Sequence, residues 1–212
     1  MNHSVKATER EYSFLIPRNK LNINPPENIG NFKQISLTNK TIHDILIERK
    51  NISLKSEKIG VRLRKIDGQI EFTYKRFLGK DNGATKYDEI TESVSEDIFK
   101  YFLTGKIDLF NPTLKKMAVK GTLYPLLQIK NKRKIVVYSD GVNSIEVEIE
   151  KLEYSSSGNN KRVNDSMLEL EIIELKSKTE VFDVLVDFFK KAYCGVTASE
   201  GKNTRASRML GI

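Results

Sequence analysis

Ser144-Ile145-Glu146-Val147-Glu148-Ile149-Glu150-Lys151-Leu152 alternates apolar and charged residues almost without a break. Successive side chains of an extended strand point to opposite faces, so residues two apart share a face. Glu146, Glu148 and Glu150 therefore stand together, opposite Ile145, Val147 and Ile149. The same reading applies elsewhere in the chain. Glu169 and Glu171 lie opposite Leu168, Leu170 and Ile172, while Glu9 and Glu11 share a face with Ser13, opposite Tyr12, Phe14 and Ile16. Basic residues follow the same rule: Arg62 and Arg64 oppose Val61 and Leu63, and Thr73 and Lys75 oppose Phe72 and Tyr74.

Period-two runs predict strands over 8–16, 42–48, 60–65, 69–76, 132–138, 144–152 and 167–175. Asp67-Gly68, Asp81-Asn82-Gly83 and Asp140-Gly141 are turn signals that suit hairpins, so the sheet is expected to be mainly antiparallel. A helix is expected over 95–105, with Glu96 and Asp97 in its first turn, and another over 179–193, where Val181, Leu185, Phe188 and Phe189 fall on one face. A shorter helix is expected around 112–119. About eight strands in 212 residues suggest closure into a barrel, which also removes exposed strand edges. The expectation is an α+β fold: one domain over 1–212, an eight-stranded antiparallel β-tunnel with a few helices packed outside.

Composition narrows the chemistry. One cysteine, Cys194, permits no internal disulfide, and with only two histidines a thiolate zinc site lacks ligands, so any metal should be oxygen-bound. His43 is expected on the surface or in a turn, and Cys194 and Tyr193 in packing at the end of the second helix. No apolar run approaches the roughly 20 residues that span a bilayer, and residues 1–11 lack the apolar core of a secretory signal. A cytoplasmic protein without a membrane partner is expected. The formal net charge of +8 implies attraction to anions without choosing among them.

A charged strand face is ordinarily a solvated outer surface. Here, however, the signs are segregated, with acidic pairs on the first strand and the last two and basic pairs on the middle ones. A surface selected for solubility intersperses them. Carboxylates two apart on a strand can share one hard cation, and arginine and lysine on facing strands can neutralise phosphate oxygens. Together these features describe a polyphosphate site.

At this point the chain resembles the CYTH, or triphosphate tunnel metalloenzyme, superfamily. The N-terminal Glu9-Arg10-Glu11-Tyr12-Ser13 looks like its Glu-x-Glu-x-Lys hallmark, followed in order by His43 to Glu48, Gly60-Val61-Arg62-Leu63-Arg64, Phe72-Thr73-Tyr74-Lys75 and Lys86-Tyr87-Asp88-Glu89. Lys132-Arg133-Lys134, Ser144 to Glu150, Leu168-Glu169-Leu170-Glu171 and Gly201-Lys202-Asn203-Thr204-Arg205 then stand where the family has a basic strand, an acidic strand, a second Glu-x-Glu and a C-terminal Ser-Lys-Tyr element. The resemblance implies an eight-stranded tunnel that binds a triphosphate-containing small molecule with Mg2+ or Mn2+. It implies Glu9, Glu11, Glu169 and Glu171 as metal ligands, Glu148 (or Glu146 or Glu150) as an assisting carboxylate, and Glu148 and Glu11 as catalytic groups. Arg62, Arg64, Lys75, Lys86, Arg133 and Lys202 would bind phosphate, with Lys132 the rival of Arg133, because a one-residue slip exchanges faces.

The implied activity is hydrolysis of a phosphoanhydride in inorganic tripolyphosphate or in a nucleoside or other organic triphosphate. Three departures bear on it. Ser13 stands where the family has lysine, Lys86 replaces an arginine and loses its two-pronged grip, and Asp88 or Glu89 must stand in for a glutamate. An adenylate cyclase of the same fold and a catalytically silent triphosphate-binding module are the alternatives. Nucleic acid is not the expected partner; a basic barrel contacting RNA would follow only if the fold were different.

Overall fold

A computed structural model describes residues 5–22, 24–50, 53–81, 84–103, 123–157, 161–176 and 179–212. The helix expected around 112–119 and the Asn82-Gly83 turn lie outside these residues. The strands are β1 (Val5–Ile16), β2 (Asn28–Ile29), β3 (Phe32–Arg49), β4 (Ile59–Ile66), β5 (Gln69–Asp81), β6 (Ala84–Ser93), β7 (Leu123–Ser139), β8 (Ser144–Ser156), β9 (Arg162–Asn164), β10 (Leu168–Lys176) and β11 (Val196–Thr197). Among the described residues the α-helices are α1 (Glu96–Leu103), α2 (Thr179–Ala192) and α3 (Lys202–Leu210).

Hydrogen bonding runs β1-β6-β5-β4-β3-β7-β8-β10, and β10 pairs back to β1, so these strands close an antiparallel barrel. The short β2, β9 and β11 attach to β3, β8 and β1. Asp67 (φ 50°) and Gly68 (φ 80°) join β4 to β5 with two left-handed residues, the geometry that lets a two-residue turn follow the strand twist. Strand β6 carried no periodic signal. Its inward Thr85, Tyr87, Glu89 and Thr91 and its outward Lys86, Asp88 and Glu92 are both largely polar, so alternation has nothing to contrast. Strand β3 likewise begins ten residues before the expected 42, because Lys33 to Thr41 are held by backbone pairing to β7 while their side chains are mostly exposed. Pro125, which cannot donate to the ladder, sits in β7 beside a register shift between Leu46 and Ile47.

The apolar core lies mostly outside the barrel wall. Phe14, Ile16, Val136, Tyr138, Ile145, Val147, Ile149, Leu168, Leu170 and Ile172 pack under α2 through Phe182, Leu185, Val186, Phe189 and Tyr193. The buried stripe of α2 is thus 182, 185, 186 and 189, and Phe188, expected on it, is 38% exposed at its edge. Arg10 ties this helix to β1, with Nη2 3.2 Å from Asp183 and the guanidinium 4.9 Å from the Phe182 ring centre. Phe99 of α1 covers Ile45, Val61, Leu63, Phe72 and Tyr74 in a second cluster. His43 faces the same side, its Nε2 3.0 Å from Gln128 Oε1. Cys194 is exposed rather than packed, since the chain turns there through φ 54° after the helix. Among the described residues no helix is long and apolar enough to cross a membrane.

The third cluster is different. Leu46, Leu127, Ile129, Leu152 and Tyr154 share the inward faces of their strands with Asp44, Arg133 and Glu150, and they pack against Ala206 and Leu210 of α3. The C-terminal helix therefore stoppers the barrel interior with apolar side chains. Phe189 is fully buried between Tyr138 (centroids 5.5 Å) and Tyr193 (6.3 Å). Phe189→Ala is expected to lower the unfolding free energy by about 3–5 kcal/mol in urea denaturation, detaching α2 while leaving the interior charges in place.

Candidate functional site

The side chains that the apolar clusters leave over line the interior. On β8, Glu148 and Glu150 lie directly across from Glu171 and Glu169 of β10, and across from Ile135 and Arg133 of β7 on the other side. This register turns Arg133 inward and Lys132 outward, where it is exposed. Glu148, Glu150 and Glu171 each bring an oxygen within 4.8 Å of the others. Glu148 is 2% exposed and Glu150 fully buried. Arg133 makes close ion pairs with both. Lys202, at the start of α3, places Nζ 2.5 Å from Glu150 Oε2 and 3.3 Å from Glu171 Oε1. Glu148 Oε2 is buried and has no hydrogen-bond partner among the described residues.

Three crowded carboxylates cannot all stay ionised without compensation. Burial pushes Glu148 well above the usual carboxylate range; Arg133 opposes the rise, and the charges of Glu150 and Glu171 add to it. Glu171 goes the other way. Burial alone would raise it, but Lys202, then Arg133 and Lys75, hold it down at about 2. Glu169 is pushed up to about 7, chiefly by burial, against the opposing charge of Lys202.

The cationic wall is built on the neighbouring strands β4 and β5. Arg62 and Arg64 of β4 face Thr73 and Glu71 of β5, and Lys75 faces Glu89 of β6. Lys75 Nζ is 2.8 Å from Glu89 Oε2, and Arg62 Nη2 is 3.9 Å from Glu89 Oε1. Arg64 forks onto Asp44 of β3, with Nε 2.8 Å from Oδ1 and Nη2 2.9 Å from Oδ2. The carboxyl of Asp44, which burial would raise, is held well below the usual range by Arg64.

The remaining expected site residues divide. Ser13 pairs with Glu171 and Glu11 with Ile173, so both are on the inward face and half-buried. Glu9 pairs with Tyr87 through its backbone; its side chain lies outside the described residues. Lys86 pairs with Arg10 on the outer face, so β6 presents Tyr87 and Glu89 inward, and of Asp88 and Glu89 it is Glu89 that joins the cations. Glu169 lies beside the cluster but is engaged by Arg205, whose Nη2 is 2.6 Å from its Oε2. Sequence reasoning missed Arg205, Asp165 and Asp44. Only Asp44 left a trace, as the one acid between Ile42 and Leu46 on the inward face of β3.

The raised and lowered groups fix a pH dependence for the metal-free protein. A carboxyl raised to about 7 contributes fully below its ordinary value near 4.3 and loses that contribution as pH rises through 7. Groups held low, such as Glu171 and Asp44, lose theirs only as pH falls below about 4. The metal-free protein is therefore expected to melt at a higher temperature at pH 5 than at pH 8, and added Mn2+ should narrow the difference. Thermal unfolding at the two pH values, with and without the ion, checks this.

The CYTH domain family model matches residues 7–203. Among curated protein sequences none matches the chain. Among solved structures, HpAC1 from Hippeastrum, given as an adenylyl cyclase candidate that reveals a dominant triphosphatase activity, superimposes with a TM-score of 0.65 at 13% identity, covering 95% of this chain and 96% of that one. A Bacillus halodurans protein provisionally named an adenylate cyclase superimposes with a TM-score of 0.61 at 16% identity, covering 94% and 97%. At these identities the likeness is one of fold.

Proposed function

The chain belongs to the CYTH domain family, and from that premise we propose that it is a metal-dependent hydrolase of a triphosphate, with water attacking the terminal phosphate inside the barrel. The observation that carries this reading is the division of one enclosed interior. Acids stand on the adjacent strands β8, β10 and β1, and Arg62, Arg64 and Lys75 stand on the adjacent β4 and β5.

The acidic side suits a hard divalent ion such as Mg2+ or Mn2+. Three carboxylate oxygens come within 4.8 Å of one another, and the buried Glu148 Oε2 lacks a hydrogen-bond partner among the described residues. Glu148, Glu150 and Glu171 would hold the ion, with Glu9 and Glu11 next along the wall. Bound there, the ion supplies positive charge for phosphate oxygens and acidifies water. Arg62, Lys75, Arg64, Arg133 and Lys202 bind phosphate oxygens and spread the charge that develops on the leaving phosphate. Glu11 or Glu148 orients the water and takes its proton as the new P–O bond forms and the bridging P–O bond breaks. Lys86, on the outer face, has no part in this arrangement.

A second reading is favoured by Ser13. It faces Glu171 with a hydroxyl where the family has an ammonium, so the site could grip a triphosphate without cleaving it. One assay separates the readings: tripolyphosphate, ATP and thiamine triphosphate, each with Mg2+ or Mn2+, monitored for orthophosphate and pyrophosphate. Orthophosphate is the expected product. Pyrophosphate together with cyclic nucleotide would assign a cyclase, and metal-dependent binding without turnover, converted to turnover by Ser13→Lys, would assign a binding module.

A further inference from the structure

Resting on the reading that the acidic cluster holds a divalent ion, we propose that Arg205 is a positioning residue that withholds Glu169 from that ion and sets α3 so that Lys202 enters the cluster instead. Arg205 is 3% exposed and uses two nitrogens on two carboxylates, Nε at 2.7 Å from Asp165 Oδ2 and Nη2 at 2.6 Å from Glu169 Oε2. Asp165 is itself fixed, accepting from the Tyr154 hydroxyl at 2.7 Å and from the Met167 backbone N–H at 3.2 Å. The guanidinium is thus bolted to a preformed acceptor before it reaches Glu169.

Glu169 stands directly across from Glu150, close enough in register to join it on an ion. Its Oε2 is instead turned toward Arg205, and among the described residues the carboxylates that converge within 4.8 Å are Glu148, Glu150 and Glu171. Lys202 precedes Arg205 by three residues, so the two share a face of α3. Anchoring Arg205 fixes the rotation of the helix and with it the reach of Lys202 to Glu150 and Glu171. One side chain thereby decides which groups border the ion, removing a carboxylate and admitting an ammonium. The fork geometry is specific to arginine.

Mn2+ binding to the whole protein, measured by calorimetry and by electron paramagnetic resonance with no triphosphate present, tests this without turnover. Glu171→Gln is expected to weaken Mn2+ binding by about 100-fold or more, above the range for groups that only support a ligand. Glu169→Gln is expected to change it by less than about twofold. Arg205→Gln frees Glu169 and is expected to tighten Mn2+ binding about tenfold or to add a second ion, a gain that simple damage to the fold does not produce. The double variant Glu169→Gln, Arg205→Gln should lose that gain. If Arg205→Gln does not fold, Glu169→Gln against Glu171→Gln still decides the matter. Loss of affinity in Glu169→Gln as large as in Glu171→Gln, or a gain that survives in the double variant, overturns the role of Arg205. Unchanged affinity in Glu171→Gln would remove the ion site itself, and the role of Arg205 with it.

Discussion

Glu171→Gln protein is expected to fold and to turn over tripolyphosphate at least about 100-fold more slowly than the wild type, beyond what loss of a merely supporting group costs. Glu171 is held at about 2 and is therefore charged at every working pH. It lies across from Ser13 on one side and Glu148 on the other, and 3.3 Å from Lys202. The amide keeps the shape and removes the charge, along with half of the oxygen ligands that residue offers. Because Lys202 and Arg133 stabilise the Glu171 charge, its loss should lower the melting temperature of the metal-free protein modestly without unfolding it. Initial rates of orthophosphate release, read beside a thermal melt, test both halves. Turnover within tenfold of wild type would move the chemistry away from this cluster.

Asp44→Ala should produce the largest loss of stability among the interior charges, about 3–5 kcal/mol in urea denaturation, because it leaves a buried guanidinium unpaired. Asp44 is buried and Arg64 largely so, with 6% and 12% of their side chains exposed. Removing the acid abandons Arg64 in the field of Arg133. Two signatures distinguish this from a general packing defect. Tripolyphosphate should raise the melting temperature of the variant more than that of the wild type, since the anion replaces the missing charge. The fall in stability below about pH 4 should also become shallower, because the group whose low pKa produces it is gone.

The barrel was legible because its strands carry charge on one face and branched apolar side chains on the other. Ser144 to Leu152 and Leu168 to Ile172 announce both the strands and the sign of the wall they build. Legibility failed where that contrast vanishes. In β6 both faces are largely polar, so neither the strand nor the outward turn of Lys86 could be read. The choice between Lys132 and Arg133 needed the pairing of Arg133 with Glu150, which no local pattern states. Arg205 and Asp165 escaped for a related reason. Each is a single charge outside any alternating run, on a helix and in a turn, and their meeting joins residues 40 apart in the chain.

The wall of the barrel is also a partition between two tasks. Cohesion comes largely from the helices pressed against its outer surface, and the buried acidic cluster lies on its inner one. Apart from the stoppered end, replacing an interior charge opens no hole in the oily layer, and trimming that layer does not recolour the interior. Such a scaffold can drift to new ligands by repainting its lining while its frame stays as it was.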